Sequence, residues 1–178
     1  MEPIEALKRG EEEAIHWLVD SFSQRLLKAA TLMLGDQYLA EDAVQDCFLD
    51  AISHLSSFRG EASIYTWLYT ILLRRCSRQK KRSLREVVQS SEVVEGVLSR
   101  QGRDTGEPGM GEPKLLREAI KSLRYKYREI IVLFYYEEFT IKEIAELLHE
   151  PEGTVKSRLH RARRKLKNVL EQEEALCL

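Results

Sequence analysis

The chain has 178 residues, of which 43% are hydrophobic and 32% charged, and its formal net charge is −1. This composition supports one ordinary domain or two small ones and excludes a largely disordered chain. No stretch approaches the roughly 18 consecutive apolar residues of a membrane span, so a soluble, cytoplasmic protein is expected. The three cysteines lack the spacing of metal ligands or of a C-x-x-C pair, which favours reduced thiols and predicts no metal site.

Residues 1–82 predict a helical domain, because no alternating strand pattern of useful length occurs there. Apolar residues keep a helical period from Ala14 to Ala30, and Gly35 with Asp36 then interrupts it. The next helix carries the cleanest apolar stripe of the chain. That stripe consists of Ala40, Ala43, Val44, Cys47, Phe48, Ala51, Ile52 and Leu55. After a turn at residues 56–61, a further helix has Ile64, Trp67, Leu68 and Ile71 on one face.

An acidic face lies opposite that clean stripe. Residues 36–50 contain five acidic residues and no Lys or Arg. Asp42, Gln45, Asp46 and Leu49 share the polar face at helical spacing. A solvated face accounts for the acids but poorly for Leu49 among them, so we expect a docking surface for a basic protein partner. Its candidate residues are Glu41, Asp42, Gln45, Asp46 and Leu49.

A run of basic residues beside aromatic ones predicts contact with unpaired nucleic acid. Residues 74–85 hold seven cations and no acid. Bases can stack on rings while cations follow the phosphates. Trp67, on the apolar face, is better explained as a core residue, whereas Tyr65 and Tyr69 lie off that face and are the better stacking candidates. The candidate contacts are Phe58, Arg59, Tyr65, Tyr69, Arg74, Arg75 and Arg78.

A linker is expected over residues 83–112, because its second half is rich in Gly and Pro and poor in apolar residues. The C-terminal domain is placed at residues 113–172, followed by a tail at 173–178. Within that domain, residues 115–123 and 125–136 predict two helices.

The C-terminal domain also predicts a helix-turn-helix. Thr140 and Glu143 have capping-box spacing, and Pro151 suits the first turn of the next helix. That second helix buries an edge at Val155, Leu159, Ala162 and Leu166. Side chains near its start can reach base edges in the major groove, and its other cations can contact phosphates. The base-edge candidates are Lys156, Ser157, His160 and Arg161, and the phosphate candidates are Thr154, Arg158, Arg163 and Arg164.

Three motifs in this order resemble the group IV (extracytoplasmic-function, ECF) sigma factors of bacterial RNA polymerase, within the sigma-70 family. They are AEDAVQDCFLDAI at 40–52, FRGEASIYTWLYTIL at 58–72 and TIKEIAELLHEPEGTVKSRLHRARRKLK at 140–167. The resemblance implies an all-α protein of two small helical domains joined by a flexible linker. These domains would be a sigma region 2 helical bundle and a sigma region 4 helix-turn-helix.

The resemblance also implies a role for each surface. The acidic helix would dock on the clamp helices of core RNA polymerase. The helix from Ser63 to Arg82, with the loop before it, would open the minus-10 element and hold flipped bases of the non-template strand. The helix-turn-helix would read duplex DNA at the minus-35 element and touch the polymerase flap. Such a factor initiates transcription of a stress or envelope regulon, and an anti-sigma factor can hold it near the membrane.

Two positions depart from the family pattern. Many relatives carry Asn where this chain has Arg74, and Asp or Asn where it has Arg78. The Asn helps to hold a flipped base, so the resemblance does not determine which base this chain prefers at the minus-10 element. The family's LPPRQRE is replaced by LRYKYRE at Leu123–Glu129, which leaves the expected fold unchanged.

Two other classes of protein remain as alternatives. A stand-alone helix-turn-helix regulator with a helical sensing domain would leave the acidic face and the first basic run without a role. An enzyme such as a serine recombinase with a DNA-binding tail would need a nucleophile with an adjacent base, and none is visible. We therefore expect no catalysis, no cofactor and no small-molecule substrate.

Overall fold

A computed structural model of the chain describes residues 3–91 and 114–176, with side chains described for 3–85 and 114–172. All regular structure in these ranges is helical, which confirms the expected all-α class. Of the described residues, 3–30 and 37–91 form one compact unit, and 31–36 with 114–176 form the other. Within the same ranges, no helix has both the length and the apolar content that crossing a bilayer demands.

The first unit is built from α1 (Ile4–Lys8), α2 (Glu12–Leu34) as far as residue 30, α3 (Gln37–Ser53), a short 3₁₀ turn (Leu55–Ser57) and α4 (Ile64–Ser91). Gly35 separates α2 from α3 with a φ of 72°, a left-handed conformation that suits a glycine after a helix. Its N–H donates to the Thr31 carbonyl at 2.8 Å. The interruption predicted at this glycine is confirmed.

Helices α3 and α4 pack face to face through small side chains. Ala40, Ala43, Cys47 and Ala51 of α3 are fully buried, as are Leu68, Leu72 and Cys76 of α4. The Cys47 thiol donates to the Leu68 carbonyl across this interface, with a sulfur-to-oxygen distance of 3.5 Å. Burial raises the pKa of that thiol to about 12. Alanine at the contact lets the two backbones approach closely, and the predicted stripe of α3 is therefore the core face.

Helix α4 begins where the sequence predicts. The Ser63 hydroxyl accepts a hydrogen bond from the Thr66 N–H at 3.1 Å, which satisfies one of the free donors of the first turn. The helix continues to Ser91, beyond the linker boundary expected at residue 82. The remainder of the expected linker, from residue 92 onward, lies outside the described residues.

The second unit contains α5 (Lys114–Ser122), α6 (Tyr125–Ile131), a π-helical turn (Val132–Tyr136), α7 (Ile141–Leu148) and α8 (Glu152–Leu176). The single helix predicted over 125–136 therefore changes to a π-helical turn in its second half. Helix α8 packs against α5, α6 and α7 and reaches beyond the domain boundary expected at residue 172.

The helix-turn-helix is formed by α7 and α8. The capping box is confirmed: the Thr140 hydroxyl accepts from the Glu143 N–H, and a Glu143 carboxylate oxygen accepts from the Thr140 N–H at 2.8 Å. His149 ends α7 in a left-handed conformation. Pro151 lies one residue before α8, where its carbonyl accepts from the Thr154 N–H at 2.9 Å, so it caps the helix and does not occupy the first turn.

We predict that Thr140→Ala destabilises the second unit by about 1 kcal/mol, because the Glu143 N–H at the start of α7 loses its acceptor. Hydrogen exchange at the amides of α7 and α8 measures the change. Lys142→Ala, on the exposed side of the same turn, is the control and should leave exchange unchanged. Equal protection in both variants would show that the capping box does not stabilise the helix.

Candidate functional site

The acidic surface of α3 comprises Glu41, Asp42, Gln45, Asp46 and Leu49. Four of these side chains are exposed, including Leu49 at 57% exposure, and Asp46 is half-buried. The four exposed residues lie away from the buried face of α3, as expected from the spacing, whereas Asp46 lies at the edge against α4. A large apolar side chain in solvent among carboxylates and an amide is typical of a protein-binding surface.

Tyr38 extends this surface, and the sequence reasoning missed it. It begins α3 one turn before Asp42, on the same stripe as Gln45 and Leu49, and 66% of its surface is exposed. The spacing that revealed Leu49 could have revealed Tyr38 as well. Exposed aromatic residues are enriched at the energetic centres of interfaces, so Tyr38 belongs to the candidate surface.

Arg75 was expected to contact nucleic acid, but the structure contradicts this assignment. Its Nε donates to Asp50 Oδ2 at 2.7 Å, its Nη1 donates to Asp46 Oδ2 at 3.1 Å, and its Nη2 pairs with the second oxygen of Asp50. The hydrogen bond from Arg75 holds the pKa of Asp50 below its usual value. Only 20% of the Arg75 side chain is exposed. Arg75 therefore joins α4 to α3 and is not free for a phosphate.

The expected stacking rings also need correction. Tyr69 is fully buried and Phe58 is 4% exposed, so neither ring can receive a base without opening the core. The Tyr65 ring is half-buried, 4.8 Å from that of Tyr69, and the Arg25 guanidinium lies 4.2 Å above it. Trp67, expected in the core, is only half-buried and packs beside Phe58 at a ring distance of 5.2 Å.

A basic strip runs along the exposed face of α4. It consists of Arg74, Arg78, Lys81 and Arg85, all exposed and spaced by three or four residues. Trp67 lies two turns before Arg74 on the same face, which makes it the ring best placed beside these cations. Arg59, in the loop before α4, is also exposed and lies 3.9 Å from the Glu61 carboxylate.

The recognition helix α8 exposes the base-edge candidates. Lys156, Ser157, His160 and Arg161 face solvent, and so do the phosphate candidates Thr154, Arg163 and Arg164. Val155, Leu159 and Ala162 are buried, which confirms the predicted inner edge. The Arg163 guanidinium lies 5.2 Å from the Phe134 ring centre, within range of a cation–π contact.

Arg158 does not match its expected role as a phosphate contact. Its Nη2 donates to Glu150 Oε1 at 2.7 Å, and only 13% of its side chain is exposed. Glu150 belongs to the turn between α7 and α8. The pair therefore joins the turn to α8, and Arg158 is less available to a phosphate than the exposed cations of this helix.

Two parts of the chain match family descriptions. Residues 18–86 match "Sigma-70 region 2", and residues 114–166 match "Sigma-70, region 4". These matches cover the acidic surface, the whole basic strip, and the helix-turn-helix as far as residue 166.

Curated relatives match over nearly the whole chain. The ECF RNA polymerase sigma factor SigW of Bacillus subtilis is 30% identical over 180 residues, covering 94% of each chain. The sigma-H factor of Pseudomonas aeruginosa is 27% identical, covering 94% of this chain and 92% of its own.

Two solved structures have a similar fold. The sigma factor RpoE of Bartonella quintana, solved with the anti-sigma factor NepR, has a TM-score of 0.70 at 26% identity and covers 88% of this chain and 96% of its own. CnrH, solved with the cytosolic domain of CnrY, has a TM-score of 0.66 at 22% identity and covers 95% of each chain.

The motif-based resemblance is thus confirmed by two family regions in the expected order and by a relative aligned over both. The chain belongs to the ECF sigma factors of bacterial RNA polymerase.

Proposed function

We propose that this sigma factor binds core RNA polymerase through the acidic surface of α3, with Tyr38 as part of that surface, and binds promoter DNA through the basic strip of α4 and the start of α8. The observation that carries the proposal is the separation of exposed charge by helix. Acids with Tyr38 and Leu49 face solvent on α3, whereas cations face solvent on α4 and α8. Opposite charges on distinct surfaces suit two partners of different charge.

A net charge of −1 fits a factor that depends on the polymerase for promoter binding. Non-specific affinity for DNA grows with the number of phosphates that a protein neutralises. The acidic surface repels DNA, so the free factor has weak affinity for it. Once docked, that surface is occupied by the polymerase and the basic surfaces are held at the promoter.

At the minus-10 element, we assign the basic strip to the backbone of the non-template strand and Trp67 to an unpaired base. Opening base pairs costs several kcal/mol, and each base stacked on a ring returns about 1–3 kcal/mol. At the minus-35 element, the base-edge candidates of α8 read the major groove of duplex DNA. Neither task needs a catalytic residue, which agrees with the non-enzymatic role of sigma factors as initiation factors.

An anti-sigma factor is the expected regulator. RpoE, the neighbour with a TM-score of 0.70, was solved with such a protein. We extend this mode of control to the present chain, together with a cytoplasmic location and a stress or envelope regulon. The stand-alone regulator is not favoured, because region 2 occupies the part of the chain that a sensing domain would need.

The test of the function is transcription by the purified chain with core polymerase on a pool of genomic fragments. We expect transcripts that begin at a small set of promoters sharing minus-10 and minus-35 elements. If no start site depends on the added chain, the proposed function is wrong.

We predict that Asp42→Lys and Tyr38→Ala each lower the affinity for core polymerase about tenfold or more, because both residues lie on the docking surface. Fluorescence anisotropy of the labelled factor with core polymerase measures it. Glu13→Lys makes the same charge change as Asp42→Lys at an exposed position on α2 and should bind as the wild type does. Equal loss in the Glu13 variant would mean that net charge, not this surface, controls docking.

We predict that Trp67→Ala reduces promoter opening at least about fivefold, because one stacked base is lost, and leaves the fold intact. In contrast, Tyr69→Ala should destabilise the first unit by about 3 kcal/mol or more, because the ring is fully buried. Fluorescence of a base analogue at the minus-10 element reports opening, and urea unfolding reports stability. A Trp67 variant that opens promoters normally would exclude the ring as a stacking platform.

We predict that Arg161→Ala costs about 1–3 kcal/mol of minus-35 affinity and relaxes the base preference there. Competition binding by the holoenzyme with promoter variants measures both effects. Lys167→Ala, on the later part of α8 and paired with Glu171, is the control and should retain the preference. An unchanged base preference in the Arg161 variant would remove this residue from the recognition set.

A further inference from the structure

The ion pairs of Arg75 reach from α4 to two successive turns of α3. Nε and Nη2 hold the two oxygens of Asp50, and Nη1 holds Oδ2 of Asp46. A guanidinium is planar, so three donors engaged at once fix the side chains of both acids. Asp46 is a member of the acidic surface, and Asp50 lies one turn further along the same helix.

We infer that Arg75 is a positioning residue for polymerase docking: from α4 it holds Asp46 in the rotamer that the polymerase binds. This inference rests on the proposed docking role of the acidic surface. It assigns one arginine of the basic run at residues 74–85 to protein binding instead of promoter binding.

The exposure of the three side chains supports this role. The Arg75 side chain is 20% exposed, that of Asp50 is 35% and that of Asp46 is 43%. Asp46 thus keeps a surface through which a second cation can approach while Arg75 occupies Oδ2. A carboxylate has about four acceptor sites, so the two cations need not compete. Holding the carboxylate in advance reduces the entropy that is lost when the partner binds.

Helix geometry separates Arg75 from its neighbour Arg74. Consecutive residues of a helix point about 100° apart, and Arg74 lies on the exposed basic strip whereas Arg75 is half-buried against α3. Two adjacent arginines therefore serve different partners. The positive charge of Arg75 also weakens the negative field of the acidic surface. If only this electrostatic effect operated, removing the charge would raise the affinity for the polymerase. If Arg75 positions Asp46, removing it lowers that affinity.

The experiment uses the full chain with core polymerase. We expect Arg75→Met to lower the affinity for the polymerase about fivefold, a size that is common for residues in direct contact. Arg75→Lys should lower the affinity less, because it keeps the positive charge. In an Asp46→Asn background, Arg75→Met should have little further effect, because the residue acts through that carboxylate. At saturating factor, promoter opening by the Arg75→Met holoenzyme should equal that of the wild type. Arg74→Met is the matched control: it should leave the affinity for the polymerase unchanged and weaken promoter opening at saturating factor.

Several results would overturn the inference. Unchanged or raised polymerase affinity in Arg75→Met would show that the residue does not position the surface. Weakened opening at saturation with unchanged polymerase affinity would make Arg75 a DNA contact. An additive effect in the Asp46→Asn background would indicate a general structural role. If Arg75→Met does not fold, as judged by circular dichroism, Asp50→Asn and Arg75→Lys provide the same comparison, and wild-type affinity in both would contradict the inference.

The inference and the proposed function fail in different ways. If the wild-type chain does not bind core polymerase, the function itself is wrong. If the wild type binds and Asp42→Lys weakens binding, while the Arg75 variants bind normally, only the positioning role is lost.

Discussion

The close packing of α3 against α4 is the constraint on which the surfaces of the first unit depend. Ala40, Ala43, Cys47 and Ala51 bring the two backbones together, and this fixes which face of each helix remains in solvent. The acidic surface is the exposed side of α3, with Asp46 at its edge against α4. Because the two helices pack directly against each other, a partner bound to α3 would also determine where the basic strip of α4 lies.

Charge in this molecule is divided between pairs that build the fold and side chains left for partners. Arg75 with Asp46 and Asp50 joins two helices, and Arg158 with Glu150 joins α8 to the turn before it. Partly buried pairs of this kind fix geometry, and losing one partner leaves the other charge unsatisfied. The number of cations left exposed for a nucleic-acid partner is therefore smaller than the count of basic residues suggests.

The helices and the exposed acidic face of α3 could be predicted from the sequence because both follow from the helical spacing of apolar and polar residues. On α3, the residues that must be buried and those that must be exposed alternate with helical spacing, so Asp42 and Leu49 could be assigned directly. The errors arose where tertiary contacts determine whether a side chain is buried or exposed. Nothing local distinguishes Arg74 from Arg75, since the acids that engage Arg75 lie 25 or more residues earlier. The predicted positions of Tyr69 and Trp67 were the wrong way round, with Tyr69 expected at the surface and Trp67 in the core. An aromatic ring suits either environment, and only the packing around α4 determines which ring is buried.

The Cys47 thiol gives this interface a chemical consequence. It lies within the α3–α4 contact, fully buried and with a pKa of about 12, so almost none of it is thiolate at neutral pH. Thiolate is the form that oxidants and alkylating reagents attack. In the native protein this sulfur is therefore inert, and it becomes reactive only when α3 separates from α4. Helix α3 thus contains a natural reporter of its own separation from α4.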